Sequence, residues 1–224
     1  MVAQNKIQTY MLTLIIPMMM LPFSANANGG NLSGEYITER SIISYSVSNK
    51  SWLSLRGTTN INSFECLSVR PDSKGYILAD VNLNENRVDF SGADIVVNVG
   101  SFDCKNPHIT RDMRKALGGG ENSGIEIRLL DVKTGEQNWS SADGNIIANL
   151  LITINGVSKT KELDIDWQRQ GFEYSFKGTA DLSMIDFNID PPSPLIGLGL
   201  VRVNDRITVN FNYNVQSEEI SRLD

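Results

Sequence analysis

The chain has 224 residues and a formal net charge of -6 at pH 7, with two cysteines and a single histidine. Its acidic and basic residues are scattered rather than grouped, which disfavours nucleic acid as a partner, because phosphate binding needs clustered lysine and arginine. The length fits one β-rich domain, and neither a linker-like segment nor an internal repeat interrupts it.

The first residues have the pattern of an export signal rather than of a folded segment. One positive charge at Lys6 precedes an uncharged stretch over residues 10–23, and a small-residue Ala-x-Ala pattern ends at Ala27. This order predicts a secretory signal peptide over residues 1–27, cleaved after Ala27, and a single domain over residues 28–224. The uncharged stretch is too short to span a bilayer, although an uncleaved anchor is the alternative. We therefore expect a periplasmic or secreted protein.

Most of the remaining chain alternates apolar and polar residues, which predicts strands with one buried face. The predicted strands cover residues 52–56, 75–83, 87–99, 125–129, 146–154, 162–167, 172–176 and 207–213. The connections between them are rich in Gly, Asn and Asp, as is typical of turns between antiparallel neighbours. About eight such strands indicate an all-β antiparallel barrel or a sandwich.

One segment between these strands has the pattern of a helix. Residues 110–117 place Met113 and Leu117 on one face, and the sequence supplies Thr110 as a candidate N-cap. Three glycines follow directly and end the helix.

The two cysteines of an exported protein raise the question of a disulfide. Only the strand predicted over 75–83 separates the segments that carry Cys66 and Cys104. In an up-down-up arrangement both cysteines would reach the same end but lie about two strand spacings apart, too far for a bridge unless both residues sit just beyond the ladder. The sequence favours the bridge and leaves two buried thiols as the alternative.

Closure of the strands into a barrel would point one face of each strand inward. An eight-stranded barrel either fills with its own side chains or encloses one slender ligand, and periodicity does not decide between the two. An apolar interior would bind a hydrocarbon chain by burial and select it by length and width. The predicted interior residues are Leu53, Leu55, Ile77, Ala79, Val81, Ile127, Leu129, Leu150, Ile152, Leu163, Ile165, Phe172, Tyr174, Phe176, Val209, Phe211 and Tyr213.

A proline-rich apolar loop over residues 187–200 precedes the last predicted strand. Its prolines cannot extend a central ladder, so its apolar side chains must lie over another apolar surface. We expect Leu195, Ile196 and Leu198 to cover one mouth of the barrel. A loop packed on the outside of the sheet is the alternative.

Enzymatic interpretations have little support in the sequence. His108 is the only histidine and is expected at the surface or at a helix cap, while Asp164 and Asp166 lie on the polar face of a strand. The sequence contains no nucleophile elbow, nucleotide loop or zinc-protease motif. We therefore expect no catalytic residue, no metal site and no cofactor.

Several segments occur in an order and spacing that resembles the YceI-like family. They are residues 57–66, 102–104, 112–117, 153–159, 191–200 and 205–215, and the similarity extends over roughly residues 36–215.

The resemblance implies a lipocalin-like β-barrel with one or two short helices. It also implies a non-enzymatic carrier whose barrel holds a long polyisoprenoid or isoprenoid quinone. Two hypotheses compete with this one: an envelope interaction barrel with a solid core, and a lipid-modifying enzyme that uses His108 or the cysteines. Transient membrane contact and a homodimer remain open.

Overall fold

The computed structural model describes residues 38–69, 73–82, 86–119, 124–134, 142–192 and 201–223. The predicted signal peptide, residues 1–27, lies outside these ranges. So does the predicted mouth cover formed by Leu195, Ile196 and Leu198. Within the described ranges, no helix combines the length and apolarity needed to cross a membrane.

Over the described residues the chain forms twelve strands and one α-helix. In chain order they are β1 Thr38–Val47, β2 Trp52–Thr59, β3 Ser63–Val69, β4 Lys74–Asn82, β5 Arg87–Ser91, β6 Asp94–Asn98, β7 Phe102–Asp103, α1 Pro107–Ala116, β8 Gly124–Thr134, β9 Asp143–Ile154, β10 Val157–Gln170, β11 Glu173–Ser183 and β12 Val203–Leu223.

Eight of these strands form a closed ring in the order β1-β4-β5-β8-β9-β10-β11-β12. The pairing of β1 with β12 closes the ring, and neighbouring strands run antiparallel throughout. The remaining paired strands extend this ring, with β2, β3 and β7 branching from the first half of β12 and β6 continuing the line of β5 along β8. The expected antiparallel, lipocalin-like barrel of about eight strands is thus confirmed.

Several strand predictions differ from the structure, and β8, β10 and β11 are longer than predicted. β1 was not predicted, and β12 continues ten residues beyond the predicted end at Tyr213. The single strand predicted over 87–99 is divided into β5 and β6 at Gly92, whose φ of 83° bends the chain. A Cβ at this position would lie 2.9 Å from the carbonyl oxygen of Tyr76, so the bend requires glycine there.

Helix α1 begins three residues before the predicted start, and its N-cap is Asn106 rather than Thr110. The Asn106 side chain accepts hydrogen bonds from the backbone N–H groups of His108 and Ile109. Asparagine at the N-cap followed by Pro107 at the first helical position is a stronger start signal than a threonine. Thr110 instead accepts a hydrogen bond from the backbone N–H of Cys104, at 3.0 Å.

The cysteines form a disulfide between directly opposed strands. β7 pairs with β3, and the register that joins Leu67 to Asp103 brings Cys66 opposite Cys104, with their Cα atoms 3.9 Å apart. The expectation of two strand spacings was wrong, because the strands that intervene in sequence, β4, β5 and β6, pair with β1 and β8 instead of lying between β3 and β7. Both cysteines are buried.

Two aromatic side chains of the barrel wall lie over glycines on the neighbouring strand. Phe211 of β12 is paired with Gly178 of β11, and Phe64 of β3 is paired with Gly57 of β2. A Cβ on Gly178 would lie 2.6 Å from the Phe211 ring, and one on Gly57 would collide with Phe64. The missing Cβ atoms therefore let the two rings lie flat against the wall.

The disulfide predicts that the native protein contains no free thiol. Titration of denatured, unreduced protein with a thiol reagent should find none, and two reactive thiols per chain would contradict the bridge.

A double Cys66→Ser, Cys104→Ser variant should lose about 4 kcal/mol of unfolding free energy, because the bridge closes a loop of 38 residues. Denaturant unfolding of both proteins measures that loss.

The Gly178 contact predicts a stability effect that depends on Phe211. Gly178→Ala should lower the unfolding free energy by about 1 kcal/mol, because the added methyl forces the Phe211 ring out of its preferred rotamer. In a Phe211→Leu background the same change should cost less than half as much. If Gly178→Ala lowers the unfolding free energy equally in both backgrounds, the effect comes instead from the backbone carbonyl of Asp164, which would lie 3.3 Å from the added methyl carbon.

Candidate functional site

The barrel encloses a continuous cavity of about 690 Å³. Its wall consists of the inward members of each alternating strand, and these side chains are almost all apolar. Sixteen of the predicted interior residues line it: Leu53, Leu55, Ile77, Ala79, Val81, Ile127, Leu129, Leu150, Ile152, Leu163, Ile165, Tyr174, Phe176, Val209, Phe211 and Tyr213. The period of two along each strand is what brings these distant residues to one surface.

Phe172 does not belong to this wall, and its assignment to the interior was wrong. The residue lies in the turn between β10 and β11 and is 50% exposed. Phe172 lies two residues before Tyr174 and four before Phe176, and both of these residues do line the cavity. However, β11 begins only at Glu173. Phe172 belongs to the turn at Gly171, whose φ is 63°, so its side chain does not follow the alternation of the strand.

The sequence reasoning overlooked several wall residues. The largest is Trp167, which follows Leu163 and Ile165 at the same spacing and is buried. β1 contributes Ile43, Tyr45 and Val47, which alternate with serines and could have been recognised by the same pattern. The others include Ile95 on β6 and, on the ring strands, Val88, Phe90, Ile125, Val132, Ile146, Ala148, Ile154, Ala180, Ile207 and Val215.

Helix α1 closes one end of the barrel with its apolar face. Ile109, Met113 and Leu117, at helical spacings of four residues, line the cavity there. Two anchors hold the helix to the wall: Arg114 donates to the carbonyl oxygen of Phe102 at 2.7 Å, and Thr110 accepts from Cys104. The disulfide lies at this same attachment.

The described residues on either side of the predicted mouth cover lie at the α1 end of the barrel. These flanking residues, Phe187, Ile189, Pro192 and Val201, all line the cavity, and the first two are buried. The residues predicted to form the cover itself lie between these flanks, outside the described ranges.

A group of polar side chains lies at the other end of the barrel. Glu219 of β12 accepts a hydrogen bond from Ser41 of β1 and another from Arg222, each at 3.1 Å. All three side chains line the cavity at the end where β12 finishes. Among the described wall residues, the charged and histidine side chains are Glu219, Arg222, Asp112 and His108, so formal charge is confined to the two ends.

Five of the aromatic side chains that line the cavity contact one another in two groups. Trp167 and Tyr174 stack with ring centroids 6.4 Å apart, and Tyr174 stacks in turn on Phe176 at 6.2 Å. Phe211 and Tyr213 meet at 5.7 Å. The Tyr213 hydroxyl is buried and has no hydrogen-bond partner among the described residues. Burial raises the pKa of Tyr213 well above its ordinary value, so the phenol keeps its proton.

The residues considered for catalysis lie apart from one another. His108 is exposed in the first turn of α1, and Asp164 and Asp166 are exposed on the outer face of β10. Asp166 accepts a hydrogen bond from Asn145 at 3.3 Å. Across the described parts of the chain, no three His, Cys, Asp or Glu side chains are arranged to hold a metal ion.

Two solved structures share this architecture. One is described as a polyisoprenoid binding domain from Saccharophagus degradans implicated in plant cell wall breakdown; it is 11% identical, its TM-score is 0.54, and the match covers 77% of this chain and 97% of that one. The other is BcnA from Burkholderia cenocepacia, with 13% identity, a TM-score of 0.51 and coverage of 75% and 98%. At these identities the likeness concerns the fold alone.

The remaining comparisons concern the sequence itself. A search of curated proteins finds no match. A family model described as the YceI-like domain matches residues 52–215, from the start of β2 into the second half of β12. Because this match covers well over half of the chain, the protein belongs to the YceI-like family.

Proposed function

We propose that this protein is an exported carrier that holds a long isoprenoid lipid inside its barrel. The observation that carries the proposal is the cavity of about 690 Å³, whose wall between the two ends is apolar. That volume lies within the usual range of about 300–1,000 Å³ for ligand pockets. The polyisoprenoid-binding description of the Saccharophagus degradans domain, which shares the fold, supports the same ligand class.

The chemistry of the wall suits a hydrocarbon chain. Burial of apolar surface contributes about 25 cal/mol per Å², and it has no preferred direction. A wall made of Leu, Ile, Val and aromatic side chains therefore binds a branched hydrocarbon along its whole length. Selection then depends on the length and width of the chain that the barrel admits.

The two competing hypotheses receive less support. An interaction barrel with a solid core would pack its inward side chains against one another, whereas the inward side chains here surround a cavity. A lipid-modifying enzyme would need its reactive groups together in the cavity, yet both cysteines are bonded to each other, and His108 is an exposed residue at the α1 end of the wall, apart from Asp164 and Asp166. The YceI-like family is moreover a family of binding proteins, not of enzymes.

Export is the second part of the proposal. It rests on the signal-like pattern of residues 1–27 and on the buried Cys66–Cys104 disulfide, because such bonds persist mainly in oxidising compartments. The proposed location is therefore periplasmic or secreted. A carrier of a membrane lipid also needs transient access to a bilayer.

Ligand content should depend on the free volume of the cavity. Organic extraction and mass spectrometry of the purified protein should recover an isoprenoid lipid. Phe211→Trp should bind that lipid about tenfold more weakly, because the larger ring fills cavity volume and overpacking costs about 1–3 kcal/mol. Leu67→Trp is the matched control, since Leu67 is 41% exposed on β3 and does not line the cavity.

These measurements can contradict the carrier hypothesis in two ways. A protein that yields no lipid and binds no isoprenoid added from vesicles would favour the solid interaction barrel. A Phe211→Trp variant that keeps the full lipid load at unchanged stability would show that the bound lipid lies outside the cavity.

Export predicts a defined mature N-terminus. Protein recovered from the periplasm or culture medium should begin at Asn28, the residue after the predicted cleavage site. Intact mass measurement distinguishes this form from the full chain. Recovery of uncleaved protein from the cytoplasm alone would contradict export.

A further inference from the structure

Three tyrosines line the cavity, and the hydroxyl of one of them is buried without a hydrogen-bond partner among the described residues. The Tyr45 hydroxyl donates to the carbonyl oxygen of Asp94 at 2.8 Å. The Tyr213 hydroxyl is buried without a partner in the described part of the chain, whereas the Tyr174 hydroxyl is not among such buried atoms. A buried polar group that lacks a partner destabilises a fold, so its retention calls for an explanation.

Tyr213 lies midway between the two ends of the barrel. It is the middle residue of β12, at the point where the partner of β12 changes from β2 to β1. Its side chain is 7% exposed, and its ring contacts that of Phe211. The charged side chains of the described wall lie at the two ends, so the described residues around this hydroxyl carry no formal charge.

We propose that the Tyr213 hydroxyl determines ligand specificity by donating a hydrogen bond to a neutral oxygen of the bound lipid. This inference rests on the proposed function and adds that the oxygen-bearing part of the ligand reaches the middle of the barrel. The phenol is protonated and therefore offers a donor. Because the hydroxyl oxygen of this wall residue is buried, neighbouring side chains must move when the ligand oxygen reaches it.

The chemistry around Tyr213 favours a carbonyl oxygen over a phosphate. An anionic head group would need a cation beside it, and an unpaired charge in an apolar interior is strongly unfavourable. Arg222, the one arginine of the described wall, belongs to the polar end and is already bonded to Glu219. A neutral carbonyl needs only one donor, which Tyr213 supplies.

The test compares two isoprenoid probes in wild-type protein and in Tyr213→Phe. The probes are a ubiquinone with two isoprene units, which carries carbonyl oxygens, and squalene, which carries none. Tyr213→Phe should raise the ubiquinone dissociation constant about tenfold and change that of squalene less than twofold. In infrared spectra, a carbonyl band of bound ubiquinone should lie at lower frequency in wild type than in the variant.

Tyr76→Phe is the matched control, because it removes a hydroxyl from a tyrosine that is 69% exposed and does not line the cavity. It should leave the ratio of the two affinities unchanged. A selective loss of ubiquinone in Tyr76→Phe with none in Tyr213→Phe would overturn the assignment. Folding is checked by thermal unfolding: Tyr213→Phe should melt no lower than wild type, and a marked fall would mean that the hydroxyl is already bonded within the protein.

The outcomes separate this inference from the proposed function. Wild-type protein that binds both probes, with ubiquinone affinity unchanged in Tyr213→Phe, would overturn the role of Tyr213 and leave the carrier intact. Wild-type protein that binds neither probe would overturn both.

Discussion

The pairing of β1 with β12 is the constraint on which the rest of the structure depends. It joins Val47 to Val215 and continues to the last residues of β12, so that the first and last described strands become neighbours. Without this ladder the other strands would form an open sheet with two free edges, and no interior would exist. The cavity, its two ends and the closing position of α1 all follow from ring closure.

Strand parity, the alternation of side chains between the two faces of a strand, explains how much of the site could be predicted from the sequence. Alternation identifies which residues share a face, and this is enough to bring Leu53, Ile127 and Val209 to one wall although they are far apart in the chain. The same rule failed at Phe172, because parity holds only while the chain is pleated. It also misses strands whose inward positions are polar, as in the second half of β12, where Ser217 and Glu219 face inward.

Strand order and free volume are harder to predict than parity. The disulfide geometry depends on the pairing of β7 with β3. This pairing joins only two residues of each strand, and the strands are far apart in the sequence, so no local sequence pattern indicates it. Whether an apolar interior is packed or hollow depends on the tilt and stagger of the strands, which alternation does not encode. For the same reason, no sequence pattern distinguishes Tyr213, whose hydroxyl has no partner among the described residues, from Tyr45, whose hydroxyl is bonded to Asp94.

Ring closure between the first and last strands also has a kinetic consequence. The chain must gain most of its contacts at long sequence separation, and such topologies fold slowly because loop closure precedes the stabilising contacts. A chain that emerges from its N-terminus first presents β1 with one unpaired edge until β12 is complete. During that interval the edge can pair with another molecule, so biogenesis of this barrel calls for protection from aggregation until its last strand arrives.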